Sequence, residues 1–417
     1  MPFYNILTRL YFTAIWLASS FDKKAGQWVA GRKGIFEKIE AGLAARREGE
    51  KLVWVHCASL GEFEQGRTVI EALKKERPDV RVLLTFFSPS GYELRKQYDG
   101  ADWVFYLPAD TPRHARIFMD LVKPDLAFFV KYEFWYHYLH TLKQRGVPTI
   151  LIAAVFRAEQ PFFRWYGRLH RRMLACFTQI FVQDEMSVRL LSSVTSVPVE
   201  MAGDTRVDRV LEIVRQPKDL PLLEKFCGSG PVLVCGSTWP ADEHIIFKVM
   251  EGEDLKNWKI VLAPHDVRPE RLTWLEKNAP FATLRFSQAL NGDGEQWRQA
   301  RCLLIDNVGM LAWLYRFGRA AYIGGGFGKG IHNTLEPMAH GVPVFFGPRY
   351  KKFTEAVFLV KNGGGSVIRH PEDLAGALQK LAGEAAYKKA VLAARTYLRQ
   401  NGGATEQILV FLRKMVW

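Results

Sequence analysis

The stretch HCASLGEFEQG, His56 to Gly66, sets one carboxylate, Glu62, behind a glycine where an apolar run gives way to a helix pattern. Leu52-Val53-Trp54-Val55 reads as a buried strand, and Glu62 falls in the first turn of the helix that follows. That position suits a general base. The positive end of a helix dipole holds a carboxylate ionised, and Gly61 keeps the approach clear. A first-turn Glu also complements the dipole of any helix, so position alone leaves both roles open.

A second stretch, YIGGGFGKGIHNTLEPMAHGVPVFFGP from Tyr322 to Pro348, suits an anion. A strand runs into Gly324, Gly325, Gly326, Gly328 and Gly330, and a short helix starts near Asn333. Glycines let backbone approach a ligand closely, and a helix start offers unpaired N–H groups to a phosphate. The pattern GGGxGxG is neither a dinucleotide GxGxxG nor a P-loop. Glu336 is placed to accept from ribose hydroxyls, although Asn333 and Glu336 also fit a capping pair. Lys329 is either a phosphate contact or a solvated loop lysine. No HxxE, HExxH or DxD accompanies these residues, so no metal is expected. The pairs Asp184-Glu185 and Asp242-Glu243 read as helix starts or solvated surface.

Both stretches need α/β scaffolding. Strand-like runs at Leu52–Ala58, Arg81–Phe87, Trp103–Leu107, Leu126–Val130, Thr149–Val155, Ile180–Gln183 and Val199–Ala202 alternate with helical patterns such as Glu62–Lys75, Pro112–Val122 and Trp135–Gln144. A Pro-, Gly- and charge-rich stretch interrupts them, and the rhythm restarts at Val232–Cys235, Lys259–Ala263, Ala282–Phe286, Cys302–Ile305, Ala320–Gly324, Val344–Phe346 and Ser366–Ile368. The predicted fold class is α/β of the GT-B type: two Rossmann-like, doubly wound domains facing a central cleft, with an N-terminal membrane-associated helix. The predicted boundaries are 1–35 for that helix and a basic linker, 36–206 for an acceptor domain, 207–230 for an interdomain linker and 231–417 for a nucleotide-sugar domain with C-terminal helices.

The chain has 417 residues, a formal net charge of +14 and five cysteines without a CxxC. The charge implies an anionic partner, and no zinc-finger or RNP-like motif favours nucleic acid. The odd, widely spaced cysteines argue against structural disulfides. Residues 1–21 hold one charge, Arg9, with apolar side chains at helical spacing. The run is too short to span a bilayer with confidence, and an interfacial helix fits better. PFFRWYGRLHRR, Pro161 to Arg172, suits lipid phosphates or equally an amphipathic helix with its aromatics inside. Arg157 is a further candidate for sugar or acceptor binding.

SLGEFEQ, KYEFW, GDTRVD, APHDVRPER, HNTLEP and GVPVFFGP, in this order, resemble the 3-deoxy-D-manno-octulosonic acid (Kdo) transferases of lipopolysaccharide biosynthesis over most of the chain. The resemblance implies an inverting, metal-independent GT-B enzyme without cofactor. Such an enzyme moves Kdo from CMP-Kdo to a lipid A precursor at the cytoplasmic face of the inner membrane. By motif, Glu62 takes the place of the catalytic base, and Glu133 and Arg206 take transition-state stabilising positions. The CMP contacts fall on Pro264, His265, Val308, Gly309, Met310, Asn333, Thr334, Leu335 and Glu336, with Gly326 in the glycine loop. The family commonly has Lys at Arg206, Arg at His265 and Glu at Met310; Arg268 is placed to restore positive charge near His265. Two rival readings are a GT-B-like nucleotide-sugar epimerase and a catalytically silent nucleotide- or lipid-binding protein.

Overall fold

The apolar runs form two parallel sheets of seven strands each in the computed structural model, which describes residues 2–291, 296–381 and 383–415. The first sheet holds β1 Leu52–Cys57, β2 Arg81–Phe86, β3 Trp103–Tyr106, β4 Leu126–Val130, β5 Thr149–Ala154, β6 Gln179–Val182 and β7 Val199–Met201, in spatial order β3-β2-β1-β4-β5-β6-β7. The second holds β8 Val232–Thr238, β9 Lys259–Pro264, β10 Thr283–Arg285, β11 Cys302–Leu304, β12 Ala320–Ile323, β13 Val344–Phe346 and β14 Gly365–Val367, ordered β10-β11-β9-β8-β12-β13-β14.

Helices cover both faces of the first sheet, which is why its strands read as unbroken apolar runs. Leu52 and Trp54 pack on one side with Ile39 and Phe118, while Val53 and Val55 pack on the other with Phe63, Val69 and Leu73. Each such buried side chain stabilises the fold by about 1.5–3 kcal/mol. The chain winds outward from β1, then returns to place β4 on the other side of β1. In the second sheet β8 and β12 flank the corresponding reversal. Ligands in open α/β sheets bind beyond the carboxyl ends of strands at such reversals.

The chain divides into two compact units, Met1–Asp208 with Asn401–Trp417, and Arg209–Gln400. Three predicted boundaries change accordingly. The end of the chain belongs to the first unit, because Ile408, Leu409 and Leu412 of the helix Ala404–Lys414 need its apolar core, and the Asp208 carboxylate accepts from Gly403 N at 2.6 Å and Thr405 N at 2.7 Å. The predicted linker 207–230 begins inside the helix Thr205–Arg215, which crosses the boundary, and contains the helix Pro221–Cys227. Residues 1–35 are part of the first unit rather than an appendage. The expected basic linker is the helix Lys23–Arg32, whose Arg32 donates to the carbonyls of Leu107 and Phe87.

The helix Pro2–Ala18 is pinned by its few polar groups. Tyr4 Oη donates to Asp110 at 2.5 Å, and Asn5 Oδ1 lies 2.6 Å from His137 Nε2. Its apolar side chains Phe3, Ile6, Leu10, Trp16 and Leu17 remain exposed. No helix among the described residues is long and apolar enough to cross a membrane.

Burial raises the Asp110 carboxyl from 3.8 to about 6, so its contribution to stability is present below pH 3.8 and fades as pH rises through 6. Burial, reinforced by His140, lowers His137 from 6.5 to about 4, so its contribution is present above pH 6.5 and fades as pH falls through 4. The two oppose each other between these limits. Asp110→Asn leaves His137 alone, and urea titrations from pH 4 to 6.5 are expected to show stability rising with pH more steeply in the variant than in wild type. Equal slopes would contradict this.

Candidate functional site

In the first unit, Glu62 leaves β1 and Glu133 leaves β4, the two neighbouring strands at the reversal of order. Burial pushes the Cys57 thiol well up, and the charges of Glu62, Glu133 and Glu64 push it further. Ser59 precedes the helix Leu60–Glu76, three residues before Glu62. Ser-x-x-Glu is the spacing of a capping box, but Ser59 Oγ donates to Glu62 Oε2 instead of accepting from the backbone. Gly61 is exposed, and a side chain there would meet only Ser59 Oγ, 3.8 Å away. Packing therefore does not require this glycine, although glycine within a helix costs about 1 kcal/mol relative to alanine.

Glu133 sits in the turn after β4, where Lys131 has φ +68°, a conformation uncommon outside glycine. Its Oε2 accepts from His56 Nε2 at 2.9 Å and from Trp135 Nε1 at 2.7 Å. His56 is fully buried in β1, and Trp135 stacks on Phe87 with ring centres 4.7 Å apart. Arg206 lies near the start of the helix Thr205–Arg215, its guanidinium on Asp204 at 2.6–3.1 Å. Thr205 Oγ1 donates to the Gln65 carbonyl, which ties this turn to the helix that bears Glu62. His56 was missed from sequence; a histidine inside an otherwise apolar strand is the signal that pointed to it.

In the second unit, the loop after β12 is held from beneath by Asp242. This carboxylate is fully buried and accepts from Gly325 N at 3.0 Å, Trp239 N at 2.9 Å and Tyr322 Oη at 3.1 Å. Burial raises its pKa, and the three donors offset part of that rise. Asp242 does start a helix, Pro240–Met250, but neither it nor Glu243 is solvated surface. Gly325 adopts φ +91°. Gly326 is buried, and a Cβ there would lie 2.5 Å from Gly347, so close packing explains this glycine.

Above the loop, the rings of Trp239, His265 and His332 stack with centres 4.5 and 4.8 Å apart. Trp239 Nε1 donates to His332 Nε2 at 3.2 Å, while burial and the neighbouring His265 lower the His332 pKa. Trp239, Gly325, Phe327, Gly328, Lys329 and His332 line a cavity of about 620 Å³. Pro264 ends β9, followed by exposed His265 and Arg268. Arg268 is bound to Asp266, whose carboxyl it holds at about 2. Val308 and Gly309 are exposed, and the Met310 thioether accepts from Asn307 Nδ2 at 3.0 Å. Asn333 precedes the N-cap, Thr334, of the helix Leu335–Ala339: its Oδ1 accepts from Leu335 N, and its Nδ2 donates to Glu336 Oε1, both at 3.0 Å. Leu335 is buried, and the buried Thr334 Oγ1 has no hydrogen-bond partner among the described residues.

Elsewhere, Arg157 pairs with Asp184 at 3.1 Å. In the 161–172 stretch Phe162 is buried while Trp165 is 91% exposed, so its aromatics divide between core and surface. All five cysteines are buried and free. No group of three or more His, Cys, Asp or Glu among the described residues could hold a metal ion.

Removing the Asp242 carboxylate orphans three buried donors. Asp242→Ala is expected to destabilise the protein by roughly 2–4 kcal/mol. Asp242→Asn is expected to cost less, because its oxygen can accept from both backbone groups while its amide donates to Tyr322. Denaturant unfolding checks the order of the two variants.

Residues 32–209 match the family model described as 3-deoxy-D-manno-octulosonic-acid transferase (kdotransferase). The chain is 29% identical over 367 residues to the 3-deoxy-D-manno-octulosonic acid transferase of Aquifex aeolicus, covering 87% of this chain and 94% of that one. Among solved structures, the UDP-GlcNAc 2-epimerase of Neisseria meningitidis superposes with a TM-score of 0.61 at 16% identity, covering 88% of this chain and 100% of that one. The calicheamicin glycosyltransferase CalG4 superposes at 0.55 with 13% identity, covering 89% and 100%. At those identities the two structures speak for the GT-B fold alone, which epimerases and glycosyltransferases share. The family match lies on the unit that carries Glu62, Glu133 and Arg206, and over most of its length the chain is similar to 3-deoxy-D-manno-octulosonic acid transferases.

Proposed function

We propose that this protein transfers Kdo from CMP-Kdo to the lipid A precursor lipid IVA, with inversion and without a metal, at the cytoplasmic face of the inner membrane. The observation that carries the reading is that Glu62 follows β1 and Glu133 follows β4, adjacent strands where the order of the first sheet reverses.

Transfer is a single displacement. Glu62 takes the proton of the acceptor hydroxyl as its oxygen bonds to the anomeric carbon of Kdo. The bond from that carbon to the phosphate oxygen breaks, and CMP leaves as an anion that needs no acid. The sugar gains positive character on the way, which the Glu133 carboxylate stabilises, while the Arg206 guanidinium meets negative charge. On the donor side, the Asp242-braced loop and the turn Asn333–Glu336 suit the nucleotide, and the orphaned Thr334 hydroxyl supports a polar ligand there. The ring stack brings His265 where the family commonly has Arg, so hydrogen bonding takes over part of what charge supplies elsewhere.

The exposed face of the helix Pro2–Ala18, continued by Phe21 at 94% exposure, supports seating on a lipid surface. Lys23, Lys24 and Lys33 follow it and match anionic headgroups.

Glu62→Gln keeps size and hydrogen bonding and removes the base. It is expected to lower kcat by about 10²–10⁴-fold with CMP affinity unchanged. Turnover in the presence of EDTA and CMP titration calorimetry read the two quantities separately. An unchanged kcat would remove Glu62 from the role.

A further inference from the structure

We propose that His56 is the positioning residue for Glu133, fixing one carboxylate oxygen from inside the sheet so that the other faces the reacting sugar. The inference rests on the assignment of Glu133 to the transfer reaction and adds to it a residue that does not itself touch substrate.

His56 lies in β1 with no exposed surface, and an imidazole buried in an apolar strand is costly unless its nitrogens find partners. Both do. Nδ1 faces Thr85 on β2, 2.9 Å from Oγ1 and 3.2 Å from the carbonyl. Nε2 reaches the loop after β4, 2.9 Å from Glu133 Oε2. An ionised carboxylate only accepts, so Nε2 carries the hydrogen. Trp54 Nε1 already donates to Thr85 Oγ1 at 2.8 Å, and the Val55 carbonyl is 3.5 Å from that oxygen. The Thr85 hydroxyl is the shorter contact of Nδ1, and Nε2 donates to Glu133.

Trp135 Nε1 donates to the same oxygen at 2.7 Å. Both donors converge on Oε2, and Oε1 has no hydrogen-bond partner among the described residues. Two donors fix a side chain that otherwise rotates about three bonds, so its orientation is set before substrate arrives. The chain Trp54–Thr85–His56–Glu133 starts on β1, passes to β2, returns to β1 and ends in the loop after β4.

The test uses His56→Gln, whose amide nitrogen reaches as far as Nε2, and His56→Asn, which keeps the contact with Thr85 and falls short of Glu133. Both are made in the full chain and in the Glu133→Gln background, and transfer kinetics are read with CMP-Kdo and lipid IVA. The expected result is a kcat about 10–100-fold lower for His56→Asn, with KM for CMP-Kdo within about twofold of wild type and most of the rate kept by His56→Gln. On top of Glu133→Gln, His56→Asn should cost less than about twofold more, since the two act as one unit. Equal rates for His56→Asn and wild type, or an undiminished loss in the Glu133→Gln background, would overturn the inference. A slow Glu133→Gln beside a fast His56→Asn removes the positioning role alone, whereas an unimpaired Glu133→Gln removes the role of Glu133 and this inference with it. Asn and Gln are both polar, so a general cost of replacing a buried histidine affects both; if both lose the rate equally, rescue has failed and the inference falls.

Discussion

Glu133 and the glycine loop are borne on segments that leave the ends of the buried strands β4 and β12, and the polar atoms buried there must find partners within the protein. That constraint shapes the site in both units. Beneath the turn after β4, His56 and Trp135 hold Glu133. Beneath the loop after β12, Asp242 gathers two backbone N–H groups and the Tyr322 hydroxyl. Of the non-glycine residues with positive φ, Lys131, Ala153 and Ser237 stand after or within β4, β5 and β8, and Lys123 ends the helix Pro112–Val122. Such conformations persist where surrounding bonds over-determine them.

The sheets were legible because their strands are apolar on both faces and bounded by turn residues. All fourteen apolar runs became strands, with ends shifting by a few residues at most. The positions of Glu62 and the glycine loop followed from the same reading, since each lies just past such a run. What sequence could not convey were partnerships made across the sheet. Glu133 and His56 are 77 residues apart, and their bond exists only because the strand order places β4 beside β1. Asp242 looked like an ordinary helix start and is also a brace, because Gly325, 83 residues later, comes to rest on it. The return of Ala404–Lys414 to the first unit is equally invisible locally: an amphipathic helix announces an apolar face and not the surface that will cover it.

The N-terminal helix shows two demands on one element. Tyr4 and Asn5 hold it to the Asp110–His137 cluster, while Phe12 packs 5.5 Å from Trp28 and 6.4 Å from Trp135, the residue that donates to Glu133. The surface offered outward and the packing around the Glu133 carboxylate thus share a helix. Glycines divide in the same manner. Gly326 is dictated by packing against Gly347, whereas Gly61 faces open space and leaves Glu62 approachable.

Transfer of a Kdo unit onto a lipid is read most directly by mass spectrometry of lipid IVA after incubation with the wild-type protein and CMP-Kdo generated in situ. The expected result is a mass increase of one or more Kdo units, whose size counts the additions. An unchanged lipid mass, with CMP bound by the same preparation, would contradict it.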